Sequence, residues 1–161
     1  MAEYSANAIQ VVAPGESVIF TASPSPCQKG LVRHRDETGD FSLSGWSPRR
    51  NYCNCGCPCG DSSVEYFVDF GANISIPTGG TPGTISLAFA INGSVLPTTT
   101  MQVTPAAVNE PFNVSEASGV PIWKGCCQSL TVVNTSDQPI QVANANIVFT
   151  RPDLNVTINR R

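Results

Sequence analysis

The chain has 161 residues, of which only 13% are charged, against the roughly 25% of an ordinary globular protein. Sixteen Ser, thirteen Thr and twelve Asn supply the polar surface instead. Thirteen Gly and thirteen Pro exclude a helical bundle and favour short strands joined by turns, while 41% hydrophobic content at a net charge of -3 excludes disorder. The length suits one domain. With 9 Lys and Arg against 12 Asp and Glu, no basic field is present to hold nucleic acid. Arg49-Arg50 and Arg160-Arg161 read as solvated pairs. No stretch approaches the roughly 18 apolar residues needed to cross a bilayer, so no membrane partner is expected. Residues 1–7 lack a basic start and an apolar h-region, so synthesis in a cytoplasm without a signal peptide is expected.

In chain order, strand signals begin at 8–13 and 17–22, which flank the turn dipeptide Pro14-Gly15. Next come 30–35 and 40–46, where Phe41 and Leu43 oppose Ser42 and Ser44. Val64, Tyr66, Val68 and Phe70 share one phase, and Glu65, Phe67 and Asp69 the other. In 84–91, Ile85, Leu87, Phe89 and Ile91 point one way and Ser86, Ala88 and Ala90 the other. Asn92-Gly93 follows directly, the strongest short-range hairpin signal in the chain. Further strands are predicted at 101–104, 111–115, 120–123, 128–134 and 140–150. The pattern predicts an all-β, single-domain antiparallel sandwich or jelly roll of about eight to ten strands.

Ser86, Ala88 and Ala90 occupy a strand face that solvent would normally fill with Thr, Lys, Glu or Arg. Small neutral residues there predict close approach by a loop of the same chain or by another subunit.

The sharpest local motif is Cys53-Asn54-Cys55-Gly56-Cys57-Pro58-Cys59. Four thiols are the donor set of a Zn or iron–sulfur site, with Cys53, Cys55, Cys57 and Cys59 as ligands. Single-residue spacers make it hard for neighbouring ligands to wrap one tetrahedral ion. Disulfides formed after release and free thiols are the alternatives, and Cys27 and Cys126-Cys127 are available to either. No other cofactor is implied.

Catalysis has little support. His34 is the only histidine, and it reads as a strand-end residue in a polar patch with Arg33, Arg35, Asp36 and Glu37. No Gly-x-Ser-x-Gly motif accompanies it, and Gly79-Gly80-Thr81-Pro82-Gly83 lacks the Lys of a phosphate loop. Five Asn-x-Ser/Thr sequons follow from composition. Trp46, Tyr52 and Trp123 are candidates for stacking on sugars, with core or interface as the plainer reading of each tryptophan.

The run from Ala2 to Thr21 resembles the start of a family of small proteins encoded by gut bacteria and their tailed phages. So do Gly71–Gly80, Ile91–Pro97, Met101–Val108, Phe112–Ser115, Gly125–Cys127, Val133–Ser136 and Asn144–Val148, and the likeness covers roughly residues 2–150. The layout also resembles the trimeric jelly rolls of the tumour necrosis factor and complement-head type. The resemblance implies a homotrimer and, for phage members, a capsid decoration or head-fibre protein that meets the major capsid protein at the virion surface. It supplies no enzymatic residues. A second function of such modules is recognition of host glycans or receptors.

Two features depart from the family: the density of the four-cysteine run, and the stretch after Arg151. Residues 1–151 are therefore read as the jelly-roll domain and 152–161 as a C-terminal arm. In that arm Leu154, Val156 and Ile158 alternate with Asn155, Thr157 and Asn159. The pattern predicts an edge strand added to a neighbour or to the decorated shell.

Overall fold

The structure, a computed structural model, describes residues 1–26, 30–46 and 63–152. Two antiparallel sheets face each other in a jelly-roll sandwich. The first contains β1 (Ala2–Ala6), β2 (Gln10–Val12), β3 (Ala22–Ser25), β6 (Ser63–Ser75), β10 (Phe112–Trp123) and β12 (Ile140–Thr150), in the order β10-β6-β12-β1-β3 with β2 also on β12. The second contains β4 (Val32–His34), β5 (Phe41–Ser44), β7 (Ile85–Ile91), β8 (Ser94–Val95), β9 (Met101–Val103) and β11 (Cys127–Asn134). Its order is β4-β5-β11-β7-β8, with β9 also on β7.

Period-2 alternation builds both inner faces. In β6, Val64, Tyr66, Val68, Phe70, Ala72 and Ile74 are buried, while the intervening residues through Asn73 are not. In β7, Ile85, Leu87 and Phe89 enter the same core. Asn92 and Gly93, at φ 49° and 80°, supply the two left-handed residues of the turn that pairs Ile91 with Ser94, as the Asn-Gly signal predicts.

Twelve strands are present among the described residues, against eight to ten expected; β1 falls where no strand was predicted, and β3 falls largely in the Pro-containing stretch after residue 22. Pro14-Gly15 makes the predicted turn, with the Glu16 N–H bonded to the Ala13 carbonyl, but the segments that flank it do not pair with each other. Instead β2 pairs with β12 in the first sheet, and Ser17 bridges Val133 in the second. Gly15, at φ 78°, donates to the Asn134 carbonyl, and the Val18 N–H bonds to the Val132 carbonyl. The segment thus crosses the sandwich and drops Val18 and Phe20 into the core, leaving Ile19 outside. The Gln10 side chain secures the crossing by bonding both the N–H and the C=O of Ile19.

Two predicted strands, 111–115 and 120–123, are one strand. β10 runs unbroken through Gly119 and Pro121, paired residue for residue with β6. A bulge in β12 at Asn144, φ 51°, switches the buried phase from Ile140 and Val142 to Ala145, Ile147 and Phe149.

Candidate functional site

Three features of the surface bear on function: one end of the sandwich, the outer face of the first sheet, and the strand face that carries Ser86.

At the end, β5 runs out at Ser44 and meets the hairpin that joins β10 to β11. The Gly45 N–H donates to the Cys126 carbonyl at 2.7 Å, and Gly125 returns a bond to the Gly45 carbonyl at 3.1 Å. Behind them, Nη1 of buried Arg151 donates to the Trp46 carbonyl at 2.7 Å. Its guanidinium lies 5.2 Å from the centre of the Tyr66 ring. The Tyr66 hydroxyl donates to the Ser44 carbonyl at 2.7 Å, with the Leu31 carbonyl 3.1 Å away. A cation and a phenol therefore find carbonyl partners at Leu31, Ser44 and Trp46, which is what burial of such groups requires.

Trp46 and Trp123 stand on this scaffold at 54% and 58% exposure. Their backbones are held while their rings are open to solvent: the Trp46 N–H bonds to Ser44 Oγ, and the Trp123 N–H to Gln128 Oε1. Cys126 and Cys127 are exposed free thiols at the same end. The proposed ligands Cys53, Cys55, Cys57 and Cys59 lie outside the described residues, as do Cys27 and Tyr52. Among the described residues, no three His, Cys, Asp or Glu side chains are grouped to hold a metal ion.

His34 does not sit in a polar surface patch. Its side chain is only 3% exposed and stacks on Phe41 with ring centres 4.7 Å apart. Tyr4 lies 5.0 Å from the His34 ring, and Phe20 6.4 Å. The Thr38 carbonyl sits 3.0 Å from Nε2, and because a carbonyl only accepts, the ring proton is on Nε2. Charged neighbours in sequence hid this, since Arg33 and Arg35 take the opposite phase of the strand.

On the face carrying Ser86, Ala88 and Ala90, the two alanines are covered within one chain and Ser86 is half-buried. Ala88 and Ala90 are 0% and 1% exposed. Ser86 shares a 2.7 Å hydrogen bond with Thr135 Oγ1, and its backbone N–H donates to Ser136 Oγ. Of the two coverings that small residues there predict, the same chain supplies the one for the alanines. Leu154, Val156 and Ile158 lie outside the described residues.

The surface that sequence reasoning passed over is the outer face of the first sheet. Phe67 stands in its middle at 46% exposure, flanked by Gly119 on β10 and Thr150 on β12. One pair further along, Asp69 lies between Ala117 and Val148, and Val148 is itself paired with Glu3. Val11, at 60% exposure, and Trp123 take the same outward phase. The signal was in the alternation of β6, where an aromatic occupies the phase otherwise given to Glu65 and Asp69.

The architecture has counterparts among solved structures. The globular domain of zebrafish complement 1qA superposes with a TM-score of 0.56 at 12% identity, covering 91% of this chain and 94% of that one. Eiger TNF from S. frugiperda superposes with a TM-score of 0.62 at 11% identity, covering 99% and 97%. The fold is that of the complement and tumour necrosis factor jelly rolls. No protein-family model matches the sequence, and no curated protein is significantly similar to it. At these identities the likeness is one of fold.

Proposed function

We propose that this chain is a non-enzymatic structural module that assembles as a homotrimer and decorates a bacteriophage capsid, with the major capsid protein as its partner. The observation that carries the assembly is the outer face of the first sheet. A half-exposed Phe67 beside Gly119 and Thr150, with Ala117 and Val148 one pair further on, offers an apolar spot between the carboxylates of Glu65 and Asp69. Small neighbours let another protein surface approach closely, and large exposed apolar groups grouped on one face mark interaction sites. The particle, and with it the virion surface, is supported by the resemblance of residues 2–150 to proteins of gut bacteria and their tailed phages.

Light scattering is expected to return three times the 17.0 kDa chain mass. Phe67→Asp places a carboxylate beside Asp69 on that face and is expected to shift the protein to the monomer. Its own fold should be kept, because position 67 points away from the core. A wild-type monomer, or a Phe67→Asp variant that assembles as the wild type does, would sink the assembly. Co-sedimentation with particles stripped of the protein tests the capsid: recovery in fixed stoichiometry is expected, and no recovery removes that partner.

A second reading rests on Trp46 and Trp123, whose fixed backbones and open rings suit stacking on a sugar. On this reading the module binds host glycans or a surface receptor. A glycan array is the test, and an array with no hits leaves the structural role alone.

A further inference from the structure

β10 ends its sheet, and among the described residues β6 is the one strand paired with it. Twelve residues long, it presents a row of backbone N–H and C=O groups with no described strand beside it. The other sheet edges are short or interrupted. β3 has four residues and contains Pro24, β4 has three, and β8 and β9 have two and three on either side of a 3-10 turn at Pro97–Thr99.

The interior is also incompletely closed along this edge. β10 packs against β9 and the 3-10 turn of the opposite sheet. Leu96 and Val103 there, with Val108 in the connection to β10, touch the core but are only partly buried. Phe112, Glu116 and Ser118 take the inward phase of β10 and are likewise only half-buried. An added strand with apolar residues on its inward side would cover this opening. Its outward side would meet Asn113, Ser115 and Ala117, so small or polar residues suit it there.

Residues 154–159 have that pattern, with Leu154, Val156 and Ile158 in one phase and Asn155, Thr157 and Asn159 in the other. The chain leaves β12 after Thr150, which pairs with Phe67, which in turn pairs with Gly119. A strand added to the open edge would thus lie three strand spacings from β12, about 14 Å. Reaching it within one chain takes about four extended residues, with a reversal of direction to add. The alternation begins only three residues after Arg151, too early for that path.

We propose that residues 154–158 of one copy add as a strand to the open edge of β10 in a second copy, with Leu154, Val156 and Ile158 turned into the opening lined by Leu96, Val103 and Val108. The inference rests on the self-association proposed above and names a contact within it. Each copy gives one strand and receives one, a head-to-tail contact that generates a ring when the rotation between copies closes.

The test uses the full chain with benzoylphenylalanine in place of Ser118. It is mixed and concentrated with nitrogen-15-labelled full chain that lacks the probe, then irradiated. Cross-links from unlabelled position 118 to labelled residues 152–161 are expected. Val156→Asp in the labelled copy should reduce their yield more than tenfold, and Asn155→Asp should leave it within twofold. Cross-links confined to unlabelled material, none at all, or equal yields from the two variants would overturn the proposal. Light scattering on the same samples separates the two readings: a threefold assembly without these cross-links defeats the strand exchange alone, whereas a monomer defeats both.

Discussion

Replacing Phe41 with alanine is expected to lower the free energy of unfolding by about 4 kcal/mol, near the middle of the range for a buried aromatic. Phe41 has no exposed surface and stands at the centre of the aromatic cluster between the sheets. Its ring centre lies 5.0 Å from Tyr4, 5.1 Å from Phe20, 4.7 Å from His34 and 4.9 Å from Phe149. Truncation removes the transfer energy of the ring and leaves a cavity walled by four other rings that strand pairing holds in place. It also removes the stacking partner of His34, whose Nδ1 already lacks a hydrogen bond. For a chain of this size the melting temperature should fall by about 12 °C. Urea denaturation with an unchanged m-value would confirm the mechanism, and a loss below about 1 kcal/mol would show that the cluster does not hold the sheets together.

The second large effect is expected at Gly45. A Cβ there would land on the Trp123 carbonyl oxygen and lie 2.8 Å from the Cys126 carbonyl oxygen. Both are backbone atoms of the β10–β11 hairpin, so no side chain can move aside. Gly45→Ala must push β5 away from the hairpin and break the bonds from Gly45 to Cys126 and from Gly125 to Gly45. We expect a loss of about 3 kcal/mol, the upper end of the usual cost of overpacking. Gly15→Ala serves as the comparison. Gly15 has φ 78° but nothing within 4 Å of its absent Cβ, so only the backbone strain of about 1 kcal/mol applies. Thermal melts of the two variants should rank in that order, and the reverse ranking would refute the close approach at Gly45.

Much of the core was legible along the chain. Val64, Tyr66, Val68 and Phe70 alternate with polar residues apart from Phe67, and β6 buries them as the period requires. The same holds for Ile85, Leu87 and Phe89 in β7. The phase break in β12 is also present in the sequence, since Ile140 and Val142 are even-numbered and Ile147 and Phe149 odd. Alternation shows that a residue must be absorbed between them. It does not show where, and Asn144 takes that place because Asn tolerates a left-handed backbone better than its alanine neighbours.

The candidate surfaces were less legible. Phe67 could have been found as the aromatic in the polar phase of β6. Ala88 and Ala90, expected where a loop or another subunit approaches closely, are buried within the single chain. His34 read as surface from its charged neighbours and is buried because the strand turns those neighbours the other way. Arg151 gave no signal at all: its buried role depends on Tyr66 and on Ser44 and Trp46 arriving from two other segments.

By itself the sequence determined that the chain is all-β, how most of its strands divide into inward and outward residues, and the Asn92-Gly93 turn. These are local properties, decided by side-chain period and by which residues accept a left-handed backbone. Only the tertiary structure decided that residues 13–21 cross between sheets instead of closing a hairpin. It alone decided that β10 is left at an edge, and that Gly45, Arg151 and the two tryptophans meet at one end. Each depends on which strands become neighbours across long stretches of chain. That choice follows from how two whole faces bury one another, and no window of ten residues contains it.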